Sequence, residues 1–314
     1  FNTGSLQNIL IKNFRPGTLE RWNMSYETLS EINPRLIMVR VSGYGQTGPY
    51  SKRAGFGAIG EAMGGLRYVS GDPSTQPSRM GISIGDELAA MHACMGALMA
   101  IHARERTGKG QVVDSAIYES VLNMMESLVT EHHVAGYTRE RTGPIIPNVA
   151  PSNIFETSDQ QMILIAANQD GVFSRLCKVM DRPELSSDER YSTHSARGKN
   201  QQELDDLIND WTKTKSLKEV ESLCNENGIP AGLIYKAKDM IEDPHFKARE
   251  AIIDIEHPEF GLIKMQNVAP KLSRNPGEVR QVGPKLGEHN NYVFLDILKR
   301  TEDEMRSLKE AGVI

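Results

Sequence analysis

With 314 residues, 39% of them hydrophobic and 25% charged, the chain has room for one large domain or two modest ones and the balance of a globular protein. Its formal net charge of −5 argues against wholesale attraction to nucleic acid or to an anionic membrane, and no run approaches the ~18 unbroken apolar residues of a membrane span. Cys94, Cys177 and Cys224 lack CxxC spacing and read as small buried hydrophobes in a reducing compartment, the cytoplasm or an organelle matrix.

Phe1-Asn2-Thr3-Gly4 carries neither an initiator Met nor a signal-peptide pattern, and the apolar Ile9-Leu10-Ile11 follows at once, so the start reads as a domain entered midway, a truncated chain. Leu6 to Phe14 is expected to form a buried strand ending in a turn at Arg15-Pro16-Gly17. Thr18 to Ser30 has a helical composition, weakened at its centre by Asn23 and Ser25. Arg35 to Val41 is a β-prone run suited to a buried parallel strand. The loop Ser42-Gly43-Tyr44-Gly45-Gln46-Thr47-Gly48-Pro49 follows it. A helix of small residues is expected over Phe56 to Gly64, and a long one over Glu87 to Arg106, stopped by Thr107-Gly108-Lys109-Gly110. Gln111 to Asp114 reads as a strand and Ser120 to Val134 as a helix. The alternation is that of an α/β domain with a mostly parallel sheet.

The texture changes near residue 140, where a Pro-rich passage, Thr142 to Pro151, reads as a domain crossing. Beyond it come a strand over 162–167, helices near 170–181, 201–212 and 216–227, and a short strand at Leu233-Ile234-Tyr235. These compose a smaller α+β domain ending near 262. A C-terminal segment, 263–314, includes the loop Gly283 to Asn290 and a charged helix over Glu302 to Ala311.

Several familiar chemistries are disfavoured. His92 and His102 share a helix but not a face, His132 and His133 are neighbours, and no HExxH or carboxylate cluster has metal-ligand spacing. No glycine pair brackets a serine as GxSxG requires. Gly43 to Gly48 fits GxGxxG literally, yet a dinucleotide site needs a helix to open there, and Pro49 with more loop follows instead. Gly85-Asp86 stands directly before the long helix. Taken alone, Asp86 reads as an N-cap; a carboxylate held ionised by the helix dipole beside a glycine also suits a nucleophile.

An ordered set of motifs adds to this reading. Asn13-Phe14-Arg15-Pro16-Gly17, Leu19-Glu20-Arg21, Asn33-Pro34-Arg35, Ser42 to Tyr50, Arg53-Ala54-Gly55-Phe56, Ala62-Met63-Gly64-Gly65, Gly85-Asp86 and Thr107 to Gln111 occur in succession. Gly228-Ile229-Pro230-Ala231-Gly232 and Leu286-Gly287-Glu288-His289 come later. The succession resembles the class III CoA-transferases of the CaiB/BaiF type, the family that includes formyl-CoA transferase and carnitine CoA-transferase. The resemblance implies an open, mostly parallel Rossmann-like domain at 1–140 that binds CoA and lacks its first β-α units. It also implies a small α+β domain at 141–262, a segment at 263–314 returning to the large domain, and an interlocked homodimer.

The same resemblance implies that Asp86 is the catalytic nucleophile and that Asn13, Phe14 and Arg21 contact CoA. Their alternative readings are turn residue, core aromatic and solvated helix Arg. Arg53 lies beside Ala54, the place of a CoA-contacting lysine in formyl-CoA transferase, and is a weaker candidate. The implied substrates are an acyl-CoA and a carboxylic acid, with no permanently bound cofactor, no metal, no nucleic acid and no membrane. Phe56 stands where related racemases place a histidine base, which turns the expectation from proton transfer to acyl transfer. The stretch from Pro147 to Asn153 lacks the four-glycine run of formyl-CoA transferase, which speaks against formate and oxalate. An acyl-CoA racemase and a non-catalytic CoA-binding scaffold are the alternatives. Asp114, Glu119 and His289 are read as structural or without assigned role.

Overall fold

A computed structural model describes residues 9–314 of the chain. The described residues divide into two compact units, 9–232 and 233–314. In the first unit β1 (Ile9–Lys12) leads to the short helices α1 (Thr18–Arg21) and α2 (Tyr26–Ile32), then β2 (Ile37–Ser42). Helices α3 (Gly57–Met63), α4 (Leu66–Val69) and α5 (Ile84–Thr107) precede β3 (Val112–Ala116), and α6 (Ile117–Leu122) and α7 (Leu128–Ala135) follow it. The three strands form a parallel sheet in the order β1-β2-β3, with Lys12 opposite Arg40 and Arg40 opposite Asp114. This is the α/β fold class and the parallel sheet expected from the alternation of elements. The first three residues of the expected strand, Leu6 to Asn8, lie outside the described residues.

Core packing explains why β2 reads as a continuous apolar run. Ile37 and Val39 are buried against Ala93 and Ala100 of α5, and Val41 packs on Ala89, Ile117 and Val121 on the same helix and α6. Helix α5 ends where Gly108 takes a left-handed φ of 72° and its N–H returns to the carbonyl of Arg104, as the glycine signal predicts. By length and composition α5 could cross a membrane, with a mean hydropathy of 1.3 over its best window. A search for unbroken apolar runs misses it because Asp, Glu and His interrupt the sequence. Its Ala93, Ala97 and Ala100 line the sheet, whereas Met91, Met95, Leu98 and Met99 are exposed.

Two expected helices are each split. Thr18 to Ser30 breaks after Arg21 because Asn23 is left-handed, at φ 56°, and Ser25 then caps α2 by accepting from the Thr28 N–H. Ser120 to Val134 breaks at Asn123–Ser127, with Glu126 at φ 53°.

Past the Pro-rich passage, β4 (Ser152–Glu156) pairs antiparallel with β5 (Met162–Ala166), and β6 (Ala231–Leu233) completes a second sheet. Helices α8 (Asp170–Val179), α9 (His194–Lys199), α10 (Gln201–Thr212) and α11 (Leu217–Glu226) pack around it, with a 3-10 turn at Pro183–Ser187. Arg197 is fully buried and donates to the carbonyls of Ala150, Asn168 and Tyr191 and to the carboxylate of Asp170. It thereby ties the end of the Pro-rich passage to three later segments. The second unit holds α12 (Ala237–Glu242), α13 (Pro244–Ala248), the hairpin β7 (Ile252–His257) and β8 (Gly261–Gln266), a π-helical turn at Tyr292–Ile297 and α14 (Glu302–Glu310).

Candidate active site

Asp86 is not the cap of α5. The helix begins two residues earlier than Asp86, at Ile84, and Ser83 is its N-cap residue, without a side-chain cap bond. Asp86 is the third helical residue, where a carboxylate is favoured by the macrodipole. Its side chain is exposed, and among the described residues no hydrogen-bond or ion-pair partner holds it. The bland reading of this residue therefore loses its geometric basis, since a capping carboxylate must accept from a backbone N–H.

The floor beneath Asp86 is made by α3. A Cβ placed on Gly57 would lie 2.2 Å from the Asp86 Oδ2 and 2.7 Å from its Cγ. One turn on, a Cβ on Gly60 would meet the Ile117 Cγ2 at 2.4 Å, and one on Gly64 would meet the Val121 Cγ1 at 2.6 Å. The small residues that marked this helix in the sequence form a bare face that lets α6 and the start of α5 come close. Gly85 completes the contact, its Cα facing the Gly57 carbonyl and the Glu61 side chain.

Glu61 is the one acid of α3, and its side chain is only 2% exposed. Its Oε2 pairs with the Arg67 Nε at 2.9 Å, and its Oε1 accepts a long 3.4 Å hydrogen bond from the Gly85 N–H. Sequence reasoning passed over it; its only signal was a lone carboxylate among glycines and alanines.

The glycine-containing loop after β2 joins this region. Gly43 lies against Gly55, with 3.1 Å from its would-be Cβ to the Gly55 Cα, and Gly55 lies against the Tyr44 ring. Arg53 stacks its guanidinium 3.6 Å above the Tyr50 ring, which meets Tyr44 edge-on at 6.0 Å. Tyr44, Tyr50, Met63 and Tyr118 line a small cavity of about 70 Å³ with the loop residues Thr47 to Pro49. Phe56, three-quarters exposed, is the N-cap residue of α3 and the immediate neighbour of Gly57.

Asn13, Phe14 and Arg21 form a second group. Asn13 and Phe14 lie just beyond the C-terminal end of β1, where ligands of open parallel sheets bind, and Arg21 ends α1. Asn13 is exposed, Phe14 is half-exposed with its ring edge-on to Trp22 at 5.3 Å, and Arg21 bonds the Thr18 hydroxyl at 3.1 Å. No hydrogen bond or ion pair joins side chains of this group to Asp86 among the described residues; Lys12 links the group to the loop after β2. Its buried Nζ donates to the Phe14 carbonyl at 2.9 Å and to the Gln46 side chain at 3.2 Å, while the Gln46 N–H donates to Asp114 at 2.9 Å. Burial, and then the charge of Arg40, pull the Lys12 pKa below the ordinary lysine value, against the opposing pull of Glu20 and Asp114. The row Lys12-Arg40-Asp114 across the three strands thus fastens the Asn13–Arg15 turn to the Gly43–Gly48 loop. In the sequence only the end of an apolar run marked Lys12.

The sequence model for the family described as CoA-transferase family III matches residues 7–290. The chain is 54% identical over 306 residues to a succinyl-CoA–D-citramalate CoA-transferase of Chloroflexus aurantiacus, covering 98% of this chain and 76% of that protein. It is 38% identical over 309 residues to the beta subunit of a succinyl-CoA–L-malate CoA-transferase of the same organism, with the same two coverages, 98% and 76%. The crystal structure of a CAIB/BAIF family protein from Brucella suis superposes with a TM-score of 0.82 at 30% identity, covering 94% of this chain and 77% of the other.

Proposed function

The chain belongs to CoA-transferase family III, and from that premise we propose that it moves CoA from succinyl-CoA to a small hydroxy-dicarboxylic acid of the citramalate or malate kind, with Asp86 as the nucleophile. The observation that supports Asp86 is its freedom: an exposed carboxylate at the positive end of a long helix, on a glycine floor, without a capping duty. The acceptor class rests on the names of the relatives at 54% and 38% identity.

In this reading the Asp86 carboxylate attacks the thioester carbonyl, giving a mixed anhydride and CoA thiolate. The thiolate attacks the aspartyl carbonyl, which releases succinate and leaves an aspartyl-CoA thioester. The acceptor carboxylate then attacks that thioester, and the thiolate returns to the acceptor's acyl group as Asp86 leaves. Each acyl transfer passes through a tetrahedral oxyanion that needs N–H donors, and the anhydride requires a site closed to water. Asp86 is open in the single chain, so a second subunit covering it is part of the proposal. The exposed methionines of α5 are side chains such a partner would cover. Asn13, Phe14, Arg21 and Arg53 are assigned to CoA, with the two arginines serving its phosphates.

Phe56 weighs against racemisation. It sits beside the glycine that touches Asp86, where a second proton-exchanging group would be needed, and a phenyl ring cannot exchange a proton. The test is to offer succinyl-CoA with citramalate, malate, glutarate and formate and to read the acyl-CoA products by mass. Transfer to a hydroxy-dicarboxylate that is lost in Asp86→Ala is expected. Full transfer by Asp86→Ala, or α-proton exchange with deuterated water in place of transfer, would overturn the reading.

A further inference from the structure

We infer that Glu61 is a positioning residue for Asp86, acting as a cap supplied to α5 from a neighbouring helix; the inference rests on the assignment of Asp86 as nucleophile. A helix start leaves its first N–H groups without intrahelical acceptors, and a nearby side-chain oxygen ordinarily takes one of them. At α5 the N-cap Ser83 does not do so. Asp86 is an unpaired acceptor in the same turn, and a carboxylate folded back onto its own helix end would be turned away from a substrate. Glu61 narrows that alternative by taking one of the first N–H groups, that of Gly85, from below.

Three observations converge on this role. Glu61 is buried, so its carboxylate costs several kcal/mol to desolvate unless it is paired and hydrogen-bonded. Arg67, at the start of α4, supplies the pairing and aims the second oxygen at Gly85. The absence of a side chain at Gly85, whose would-be Cβ lies 3.1 Å from the Glu61 Cγ, lets the carboxylate reach a backbone N–H within the first turn of α5. A buried acid used only to bind α3 to α4 would need Arg67 alone. The contact to Gly85, one residue from Asp86, joins the ion pair to the reacting group.

Reach and charge can be separated by two substitutions in the full chain. Glu61→Asp keeps the charge but withdraws the carboxylate by about one C–C bond, ~1.5 Å, from the Gly85 N–H. Glu61→Gln keeps the reach and an acceptor oxygen but loses the charge. With succinyl-CoA and a hydroxy-dicarboxylate acceptor, Glu61→Asp is expected to lower kcat by 10- to 100-fold with KM for succinyl-CoA within about threefold, since a ~1 Å misplacement costs on the order of a hundredfold. Glu61→Gln is expected to restore kcat to within about fivefold of wild type. Hydrogen exchange at the Gly85 amide supplies a readout that does not pass through activity: faster in Glu61→Asp, protected in Glu61→Gln. Undiminished kcat in Glu61→Asp, or equal losses in kcat and in melting temperature for both variants, would overturn the inference and leave the functional reading standing. Failure of the wild-type chain to exchange CoA with any acid would overturn the functional reading, and this one with it.

Discussion

Replacing Gly57 with alanine separates the site from the fold. The added Cβ would stand 2.2 Å from the Asp86 Oδ2, whereas non-bonded heavy atoms rest at roughly 3.3 Å or more, so the carboxylate must swing away by about 1 Å. All three nearest neighbours of that position belong to the Asp86 carboxyl group, so this group is the first that must give. Alanine is also the better helix former by up to ~1 kcal/mol, so α3 is not weakened. If Asp86 is the nucleophile proposed above, a 1 Å misplacement costs on the order of a hundredfold, or about 2.7 kcal/mol in the barrier. In a coupled measurement of kcat and thermal unfolding, Gly57→Ala is therefore expected to lose 30- to 100-fold in kcat with an unchanged or slightly raised melting temperature. A folded Gly57→Ala chain with kcat within twofold of wild type would refute the reasoning, because it would mean that the position of Asp86 does not matter.

Gly60→Ala should behave in the opposite way. Its Cβ would strike the Ile117 side chain at 2.4 Å with the Tyr118 backbone behind it at 3.2 Å, and overpacking of this kind costs about 1–3 kcal/mol, so unfolding by urea should shift well below wild type. Asp205 is buried, with one carboxylate oxygen unpartnered and the other held by Asn153, and burial pushes its pKa up to about 6, with a smaller push from Asp206. Between about pH 4 and pH 6 the folded chain keeps a proton that the unfolded chain has released, so stability falls as pH rises through that window and levels above it. Denaturation across pH 4–8 should show that decline in wild type and not in Asp205→Asn, which should be more stable by on the order of 1–2 kcal/mol at pH 8; parallel profiles would contradict it. Burial also pushes the Cys177 and Cys224 thiols up to about 11, so iodoacetamide at pH 8 should spare both until denaturant is added. Labelling of either in the native chain would show that its helix is not packed as described.

The parts of this fold that sequence reveals are those where one physical signal acts alone. Helix α10 was expected over 201–212 and spans Gln201–Thr212, because its apolar period and polar flanks agree. Strand β2 was legible from its unbroken apolar run. The split at Asn23 was half-legible, since Asn favours the left-handed region and weakened the expected helix at its centre, whereas left-handed Glu126 carries no such local signal. Strand β4 was hidden by Pro151 and Asn153, which read as loop residues; Asn153 instead turns its amide to Asp205 on α10. At the site, Gly85-Asp86 was visible as a pair, but the choice between cap and nucleophile depends on where α5 begins, and helix ends are the least certain feature of any sequence. Glu61 and Lys12 escaped notice because a single charge in an apolar or small-residue run carries no period, and only the neighbours that the fold brings near give it meaning.

The glycines of α3, Gly57 and Gly60, with Gly64 as its C-cap residue, have a consequence for the order in which the molecule assembles. Each costs close to 1 kcal/mol of helix propensity relative to alanine, and seven residues are too few to hold a helix in water. Helix α3 can therefore have little existence before α5 and α6 are in place to receive its bare face. The long alanine-rich α5 can form early and locally, carrying Asp86 with it, but the surface that orients Asp86 condenses late. A chain stalled in folding would thus carry Asp86 on a formed helix without the glycine floor it packs against.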